Sequence, residues 1–231
     1  HLSLRRQRQM CIRDRPKHDF SQVVLPEKTV THIKALVEDY KEKNQRNESS
    51  RLTFLFHGVP GTGKSMTSEA IAKELGMDLL RVQVGEVKRE NMPSIIMFAI
   101  VRATTRKQIL LLEECEDLLW QSNGTSSAWL KLVFEEFQGV VIFTTNYSVG
   151  QDFMRRITYP VFFKQPTLEN RLKVFKNEMS KVKNKSVSIG DNSLKALLAK
   201  YPVSGGYFQQ VLQLAGSLSS SETVSENSLT E

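Results

Sequence analysis

An eight-residue segment rich in glycine restricts the fold of this chain more than any other feature. Residues 58–65 read Gly-Val-Pro-Gly-Thr-Gly-Lys-Ser and fit the pattern G-x-x-x-x-G-K-[ST]. The apolar run 52–56 before it predicts a buried strand, and residues 66–75 after it predict a helix that ends at Gly76. A strand, a glycine-rich turn and a helix in this order favour an α/β fold.

The same segment predicts a site for a nucleoside triphosphate, with a chance glycine turn as the alternative. Backbone N–H groups of such a turn surround phosphate oxygens, and the N-terminus of the following helix adds partial positive charge. Lys64 would contact the β- and γ-phosphates, and Ser65 would offer its hydroxyl group to Mg²⁺. The residues predicted to contact the nucleotide here are Pro60, Gly61, Thr62, Gly63, Lys64, Ser65 and Met66.

Length and composition limit the class of protein. The 231 residues are 40% hydrophobic, which is enough for one large domain with a core. No apolar run approaches the ~20 residues that a membrane span needs, and no signal-peptide pattern is visible. Cys11 and Cys115 lack the spacing of a metal site and suit a reducing compartment. We therefore expect a soluble cytoplasmic protein.

The positive charge is concentrated at the N-terminus. Residues 1–15 hold five arginines and Asp14, so they contribute +4 of the net +7 and leave +3 for residues 16–231. This stretch resembles translated sequencing-adapter read-through, and we predict that it is not native. A basic arm that binds nucleic acid is the alternative. The charge is therefore weak support for a nucleic-acid partner.

Apolar runs and helical patterns alternate along most of the chain. Strands are predicted at 79–84, 109–112, 140–144 and 161–163, helices near 26–40, 93–102 and 127–137, and a polar loop at 41–50. Continuous apolar strands between helices predict a parallel sheet covered on both faces. Residues 166–216 instead predict three helices and no strand, which would form a small lid. Residues 217–231, rich in serine and glutamate, predict a disordered tail.

These patterns divide the chain into four parts. We expect a non-native prefix over 1–15, an α/β domain over 16–165, a helical lid over 166–216 and the tail over 217–231. The α/β domain is long enough to form its own core.

Two carboxylates end the strand predicted at 109–112. Glu113 would orient Mg²⁺ through a water molecule, and Glu114 would polarise the water that attacks in phosphoryl transfer. The alternative is an acidic start to the next helix, because acids favour the positive end of the helix dipole.

Three further polar residues follow the next strand. Asn146 ends that strand, where its amide would hydrogen-bond a phosphate or the water; the alternative is an ordinary turn residue. Arg155 and Arg156 then lie at a polar turn. One of them would stabilise charge on a nucleotide bound to a neighbouring subunit, and a solvated arginine pair is the alternative.

Together these motifs resemble the ATPase module of the AAA family. They are the segment 58–65, the acid pair, Thr-Thr-Asn at 144–146, Phe-Met-Arg-Arg at 153–156 and Ser-Gly-Gly at 204–206. The likeness extends over residues 19–216. It implies a P-loop NTPase fold, with a three-layer α/β/α parallel sheet and a small C-terminal helical lid, and ATP and Mg²⁺ as cofactors.

The resemblance also implies roles for single residues. Asn146 falls on the sensor-1 position and Arg155 on the first arginine finger, so that these two and Glu114 are the predicted catalytic residues. Adenine contacts fall near Val24 and the lid contact near Gly206. Ser65 and Glu113 would hold the metal. The sensor strand would lie between the strand of the phosphate loop and the strand of the acid pair.

The chain departs from the family pattern at four places. Glu113 stands where the family usually has aspartate, as in the mitochondrial Bcs1-like branch. Thr158 occupies the position of a second arginine finger, and Gln209 that of a lid arginine found in some branches. The loop 85–92 lacks the aromatic-hydrophobic-glycine triplet of members that thread polypeptides, which argues against translocation through a pore.

The resemblance implies an ATP hydrolase that forms a homo-oligomeric ring and uses hydrolysis to remodel a macromolecule. We expect a protein substrate, and nucleic acid is weakly supported. Two alternatives stay open. One is a clamp-loader-like DNA replication ATPase, which the motifs at 153–156 and 204–206 disfavour. The other is an ATP-binding scaffold with little hydrolysis, which Glu113, Thr158 and Gln209 suggest.

Overall fold

The chain forms two compact units in a computed structural model. The structure describes residues 11–116, 128–179, 186–187, 189–201, 205–218 and 223–224. The first unit comprises the chain up to Gly58 together with Lys64–Phe163, and the second comprises Val59–Gly63 together with the chain from Lys164.

A six-stranded sheet forms the centre of the first unit. Its strands are β1 (Cys11–Asp14), β2 (Leu52–Gly58), β3 (Leu79–Gln83), β4 (Ile109–Glu113), β5 (Val140–Thr145) and β6 (Tyr159–Phe163). Their order across the sheet is β1-β3-β4-β5-β2-β6, with β1 antiparallel to β3 and the other neighbours parallel. The fold class predicted from the sequence is therefore confirmed. As the resemblance implied, β5 lies between β2 and β4.

Helices accompany these strands in the first unit. They are α1 (Glu27–Gln45), α2 (Lys64–Leu75), α3 (Met92–Arg106), α4 (Ala128–Glu136) and the single turn α5 (Gln151–Met154). The loop predicted over 41–50 is wrong in its first half, because α1 continues to Gln45. Ion pairs of Lys43 with Asp39 and of Lys41 with Glu38 hold this polar turn in helical form.

The apolar strands supply both faces of the sheet. On β4, Leu110 and Leu112 pack in a cluster with residues of α3 and α4. Ile109 and Leu111 pack in a second cluster with residues of α1 and α2. Successive side chains of a strand point to opposite faces. The sheet is therefore covered on both sides, which explains why its strands read as continuous apolar runs.

The edge strand β1 lies in the stretch that we predict to be non-native. Residues Cys11–Asp14 pair with Leu79–Val82, and Arg13 forms an ion pair of 2.6 Å with Asp78. The remaining strands come from residues 52–163 and pair among themselves. The origin of the stretch stays a prediction.

The second unit contains the segment 59–63 and the C-terminal part of the chain. Its described elements are α6 (Leu168–Met179), β7 (Ser186–Val187), α7 (Asp191–Lys200), α8 (Gly205–Leu218) and β8 (Thr223–Val224). Buried side chains of the three helices form one apolar cluster: Phe175, Leu194, Leu198, Phe208 and Leu212. The expectation that this region has no strand is wrong, because β7 and β8 pair in parallel.

Several sequence-based predictions fall on residues outside this description. Of the predicted tail, the structure describes only residues 217–218 at the end of α8 and residues 223–224 in β8. Ser204 of the Ser-Gly-Gly motif also lies outside the described residues. Within the described part of the chain, none of the helices combines the length and the apolar character that a membrane crossing requires.

Candidate nucleotide-binding and hydrolysis site

Lys64 begins α2, and its ammonium group lies where β2 and β5 end. Nζ donates hydrogen bonds to the carbonyl oxygen of Gly58 at 2.6 Å and to Oδ1 of Asn146 at 2.9 Å. Burial lowers the pKa of this ammonium group to about 8. Because parallel neighbours end at the same edge of a sheet, the fold brings the predicted phosphate-binding lysine to the predicted sensor residue.

Ser65 and Glu113 form a second pair at this edge. The Ser65 hydroxyl donates to Oε1 of Glu113 at 2.7 Å. Glu113 ends β4, and its side chain is 7% exposed. Magnesium ions prefer oxygen ligands and bind proteins through one or two carboxylates beside substrate phosphates. The hydroxyl and the carboxylate therefore fit the metal that the sequence predicts.

Glu113 is also held from β3, which sequence reasoning did not anticipate. Its Oε1 accepts a hydrogen bond from Nη1 of Arg81, and its Oε2 accepts one from Nε2 of Gln83, each at 3.0 Å. The register of β3 on β4 places Gln83 directly opposite Glu113. The polar residues in an otherwise apolar strand were the signal for this contact.

Glu114 differs from its neighbour in conformation and exposure. Its φ angle is +56°, in the left-handed region that is uncommon outside glycine. The side chains of Glu113 and Cys115 are buried, whereas that of Glu114 is exposed. The Glu114 amide donates to Oγ1 of Thr144 at 3.4 Å. The chain thus turns at the second carboxylate and presents it to solvent.

Two residues beside this turn were not among the predicted site residues. A Cβ atom built on Gly85 would lie 3.0 Å from Oε2 and 3.3 Å from Cβ of Glu114. Oε1 of Glu116 accepts a hydrogen bond from the Asn146 amide at 2.7 Å, and its charge favours the ammonium form of Lys64. Gly85 leaves space for one acid, and Glu116 joins the end of β5 to the end of β4.

The extended N-terminal segment lies against α2. Oε2 of Glu69 accepts hydrogen bonds from the amides of Lys17 and His18 and contacts Nδ1 of His18 at 2.8 Å. Although burial opposes it, these bonds and nearby cations lower the pKa of the Glu69 carboxyl group. Val24 lies half-buried further along the segment, and its contact with adenine stays a prediction.

Arg155 and Arg156 have different surroundings. The Arg155 side chain, 78% exposed, follows α5 and lies 4.0 Å from a carboxylate oxygen of Asp152. The guanidinium group of Arg156 lies over the ring of Phe134, 5.6 Å from its centroid. Phe153 packs edge-on against Phe134. Both arginines are exposed, but the guanidinium group of Arg156 lies against a ring of its own chain, whereas Arg155 has only the long ion pair with Asp152.

Thr158 does not take the place of a second arginine finger. Its Oγ1 accepts a hydrogen bond from the Thr53 amide at 3.1 Å, and its own amide donates to the Thr53 carbonyl at 3.0 Å. The residue thus joins the start of β2 to the chain that enters β6.

The second unit brings two other predicted nucleotide contacts together. The Gly206 amide donates to the carbonyl of Gly61 at 3.0 Å, and a Cβ atom on Gly206 would lie 3.0 Å from Cα of Gly61. Gly61 and Gly63 have φ angles of +70° and +100°, which favour glycine. The Thr62 hydroxyl donates to the Val59 carbonyl at 2.6 Å. The start of α8 therefore contacts the glycine turn directly.

The remaining predicted contacts flank this turn. Pro60 is exposed, and Met66 lies half-buried in the first turn of α2. Their contacts with nucleotide stay predictions.

Comparison with known proteins identifies a family that matches the residues of this site. Residues 54–163 match the model of the ATPase family associated with various cellular activities (AAA). These residues form an AAA ATPase domain. The matched residues begin in β2 and end with β6, so they include Lys64, the acid pair, Asn146 and Arg155. Membership of the domain in this family implies ATP hydrolase activity.

The fold of the chain is similar to that of the FIGL-1 AAA domain in its crystal structure with ADP. That similarity has a TM-score of 0.73 at 14% identity and covers 96% of this chain and 85% of the other. At so low an identity the similarity concerns the fold alone.

Sequence relatives include proteins with different activities. The chain is 22% identical over 202 residues to "Lon protease homolog 2, peroxisomal" of Caenorhabditis elegans, which covers 77% of this chain and 26% of that protein. It is 24% identical over 136 residues to the replication factor C large subunit of Natronomonas pharaonis, with 56% of this chain and 28% of that protein covered. The chain thus spans about a quarter of the length of these relatives.

Proposed function

We propose that this AAA ATPase domain binds Mg-ATP, hydrolyses it with the help of a second copy of the chain, and uses the cycle to remodel a macromolecule. The observation that carries the proposal is the pairing of Lys64 with Asn146 and of Ser65 with Glu113. These pairs join residues of the phosphate-binding motif to the ends of β4 and β5. Phosphoryl transfer depends mainly on such positioning and on charge neutralisation.

Each residue at the edge of the sheet has a distinct role in this proposal. The Lys64 ammonium group binds the terminal phosphates, which replace Asn146 as its partner. Ser65 and Glu113 would hold Mg²⁺, which neutralises phosphate charge when bound. The exposed Glu114 carboxylate accepts a hydrogen bond from the attacking water and takes its proton. Asn146 orients that water or the γ-phosphate through its side-chain amide.

The second copy is needed because Arg155 points to solvent. A guanidinium group stabilises charge on a transferring phosphoryl group only when it lies against it. The exposure of Arg155 supports a role at the nucleotide of a neighbouring copy, as in a homo-oligomeric ring. A cytoplasmic location and a protein substrate complete the proposal. The likeness to a protease homologue supports the substrate, since that relative is named for action on proteins.

A DNA-dependent ATPase is the second candidate function. The likeness to the replication factor C large subunit supports it. The positive charge does not, because +4 of the net +7 lies in residues 1–15. An ATP-binding scaffold with little hydrolysis is the third candidate function, which the threonine at position 158 favours.

Binding and turnover assays separate these functions. We expect the purified chain to bind a fluorescent ATP analogue with an affinity that rises when Mg²⁺ is added. Lys64→Ala should weaken binding about 100-fold, because it removes charged hydrogen bonds to phosphate. Absence of Mg²⁺-dependent binding in the unmodified chain would overturn the proposal.

Steady-state ATPase rates should then be measured against protein concentration, with and without DNA. Remodelling by an assembly predicts turnover per chain that rises with protein concentration and does not respond to DNA. Stimulation by DNA would favour the second candidate. Tight binding with negligible turnover at all concentrations would favour the scaffold.

A further inference from the structure

Arg81 occupies an unusual position in the central sheet. It lies on β3, between Leu80 and Val82, which are both fully buried. Its own side chain is 15% exposed. An arginine here must be desolvated, and this cost is recovered only if acids or other acceptors surround it.

Three acids surround the guanidinium group. Nη1 lies 3.0 Å from Oε1 of Glu113, and Nη2 lies 3.3 Å from Oε1 of Glu69 and 3.3 Å from Oδ2 of Asp14. Asp14 belongs to the stretch that we predict to be non-native. The contacts with Glu113 and Glu69 do not depend on it.

The guanidinium group is not fully satisfied in this position. Its Nε is buried and has no hydrogen-bond partner among the described residues. An unsatisfied buried donor reduces the stability of a fold. The contacts of the two terminal nitrogens of Arg81 with acids must therefore offset the burial of the group.

Arg81 contacts the same oxygen of Glu113 as the Ser65 hydroxyl does. Oε1 of Glu113 accepts hydrogen bonds from both Arg81 and Ser65, at 3.0 and 2.7 Å. Gln83 holds the other oxygen at 3.0 Å. The carboxylate is therefore fixed from β3 on one side and lies against the Ser65 hydroxyl on the other.

Glutamate needs this support more than aspartate does. Its side chain has one more rotatable bond, so that holding its carboxylate in one place costs more conformational entropy. A guanidinium group presents five N–H donors in a rigid plane and can fix a carboxylate while it contacts a second acid. An ammonium group keeps the charge without that geometry.

We propose that Arg81 is a positioning residue that holds the longer side chain of Glu113 against Ser65 and thereby permits glutamate to serve at the metal position. The inference rests on the proposed binding of Mg-ATP. It concerns the orientation of Glu113, not the charge beside it.

The test measures the Mg²⁺ concentration that gives half-maximal binding of a fluorescent ATP analogue, in the full chain. Arg81→Lys keeps the positive charge and so avoids leaving Glu69 and Glu113 without a cation. We expect it to raise this concentration about tenfold, the effect of losing one charged hydrogen bond. When EDTA removes Mg²⁺, Arg81→Lys and the unmodified chain should bind the analogue with equal affinity. A thermal melt establishes that the variant is folded.

A second background separates positioning from charge. In Glu113→Asp the shorter side chain has less freedom to restrict, so adding Arg81→Lys should change the Mg²⁺ requirement less than twofold. Asp14→Asn, which removes another contact of Arg81, is the matched control and should leave the requirement unchanged.

The outcomes are distinct. No shift in Arg81→Lys, a lower Mg²⁺ requirement, or equal shifts in both backgrounds would each overturn the positioning role. A large shift in Asp14→Asn would attribute the effect to the acid cluster as a whole and would also overturn it. Loss of Mg²⁺ dependence in the unmodified chain would instead reject the proposed function.

Discussion

The end of β4 and the turn after α5 both supply charge to the proposed site, but they hold their side chains differently. Glu113 is 7% exposed and accepts hydrogen bonds from α2 and β3. Arg155 is 78% exposed, and its ion pair with Asp152 is 4.0 Å long. An exposed pair of this length contributes little to stability. The chain therefore fixes Glu113 by its own contacts, whereas under the proposed function Arg155 would be positioned only by a second copy of the chain.

Glu114 lies between these extremes, because its backbone is fixed and its side chain is exposed. Replacement by Gln should lower ATP turnover about 10⁴-fold, since an amide cannot take the proton of the attacking water. Mg-ATP affinity should stay within about twofold, because Lys64 and Glu113 are retained. A Glu114→Gln variant with normal turnover would show that Glu114 is not the catalytic base.

The arginine turn gives the next largest effect. Arg155→Ala should lower turnover about 10³-fold in the assembled form, as the loss of an arginine finger does. Arg156→Ala is the matched control, since this residue packs on Phe134 of its own chain. We expect it to lower the melting temperature and to leave the turnover of folded protein near normal.

Mixing tests whether Arg155 acts on a second copy. Arg155→Ala combined in equal amounts with Glu114→Gln should regain part of the activity, because each variant supplies what the other lacks. If the mixture recovers no activity, or if Arg155→Ala loses as much turnover in dilute monomer as in the assembled form, Arg155 acts in the site of its own chain. The contrast drawn above between Glu113 and Arg155 would then be wrong.

The sequence predicts the two regions to different extents. The glycine turn, Lys64 and the acid pair follow from local pattern, because the chemistry needs these residues at fixed spacing on adjoining elements. The prediction that β5 lies beside β4 rested on the resemblance, and the order of the strands in the sheet confirms it. The contact of Arg81 and Gln83 with Glu113 depends on the register of β3 on β4. That register is a long-range property, and no spacing in the sequence encodes it.

The tertiary contacts of the arginine turn are likewise not given by the sequence pattern. Local pattern does not separate Arg155 from Arg156, although the resemblance selects Arg155. Both are exposed, and the contact of Arg156 with the Phe134 ring is the structural difference between them. The structure also changes the interpretation of Thr158. Its hydrogen bonds with Thr53 are backbone and hydroxyl contacts that any pattern based on charge would miss.

The ammonium group of Lys64, at the same edge of the sheet as Glu113, also predicts a pH effect. Burial lowers the pKa of Lys64 to about 8, and bound phosphate should raise it. The lysine is therefore charged below pH 8 and loses its proton above it in the free protein. Affinity for Mg-ATP should fall about tenfold between pH 8 and pH 9.5. Lys64→Arg stays charged and should show a flat profile; parallel profiles for both proteins would exclude Lys64 as the titrating group.

Gly85 gives the smallest effect and tests how closely the exposed acid is positioned. A Cβ atom there would lie 3.0 Å from Oε2 of Glu114, so that Gly85→Ala should displace the carboxylate by a few tenths of an ångström. We expect turnover to fall about fivefold with unchanged ATP affinity, because small misplacements of a reacting group reduce the rate. Gly190→Ala, where a Cβ meets nothing within 4 Å, is the control. If Gly85→Ala also weakened ATP binding, the loop after β3 would act on the nucleotide and not on Glu114.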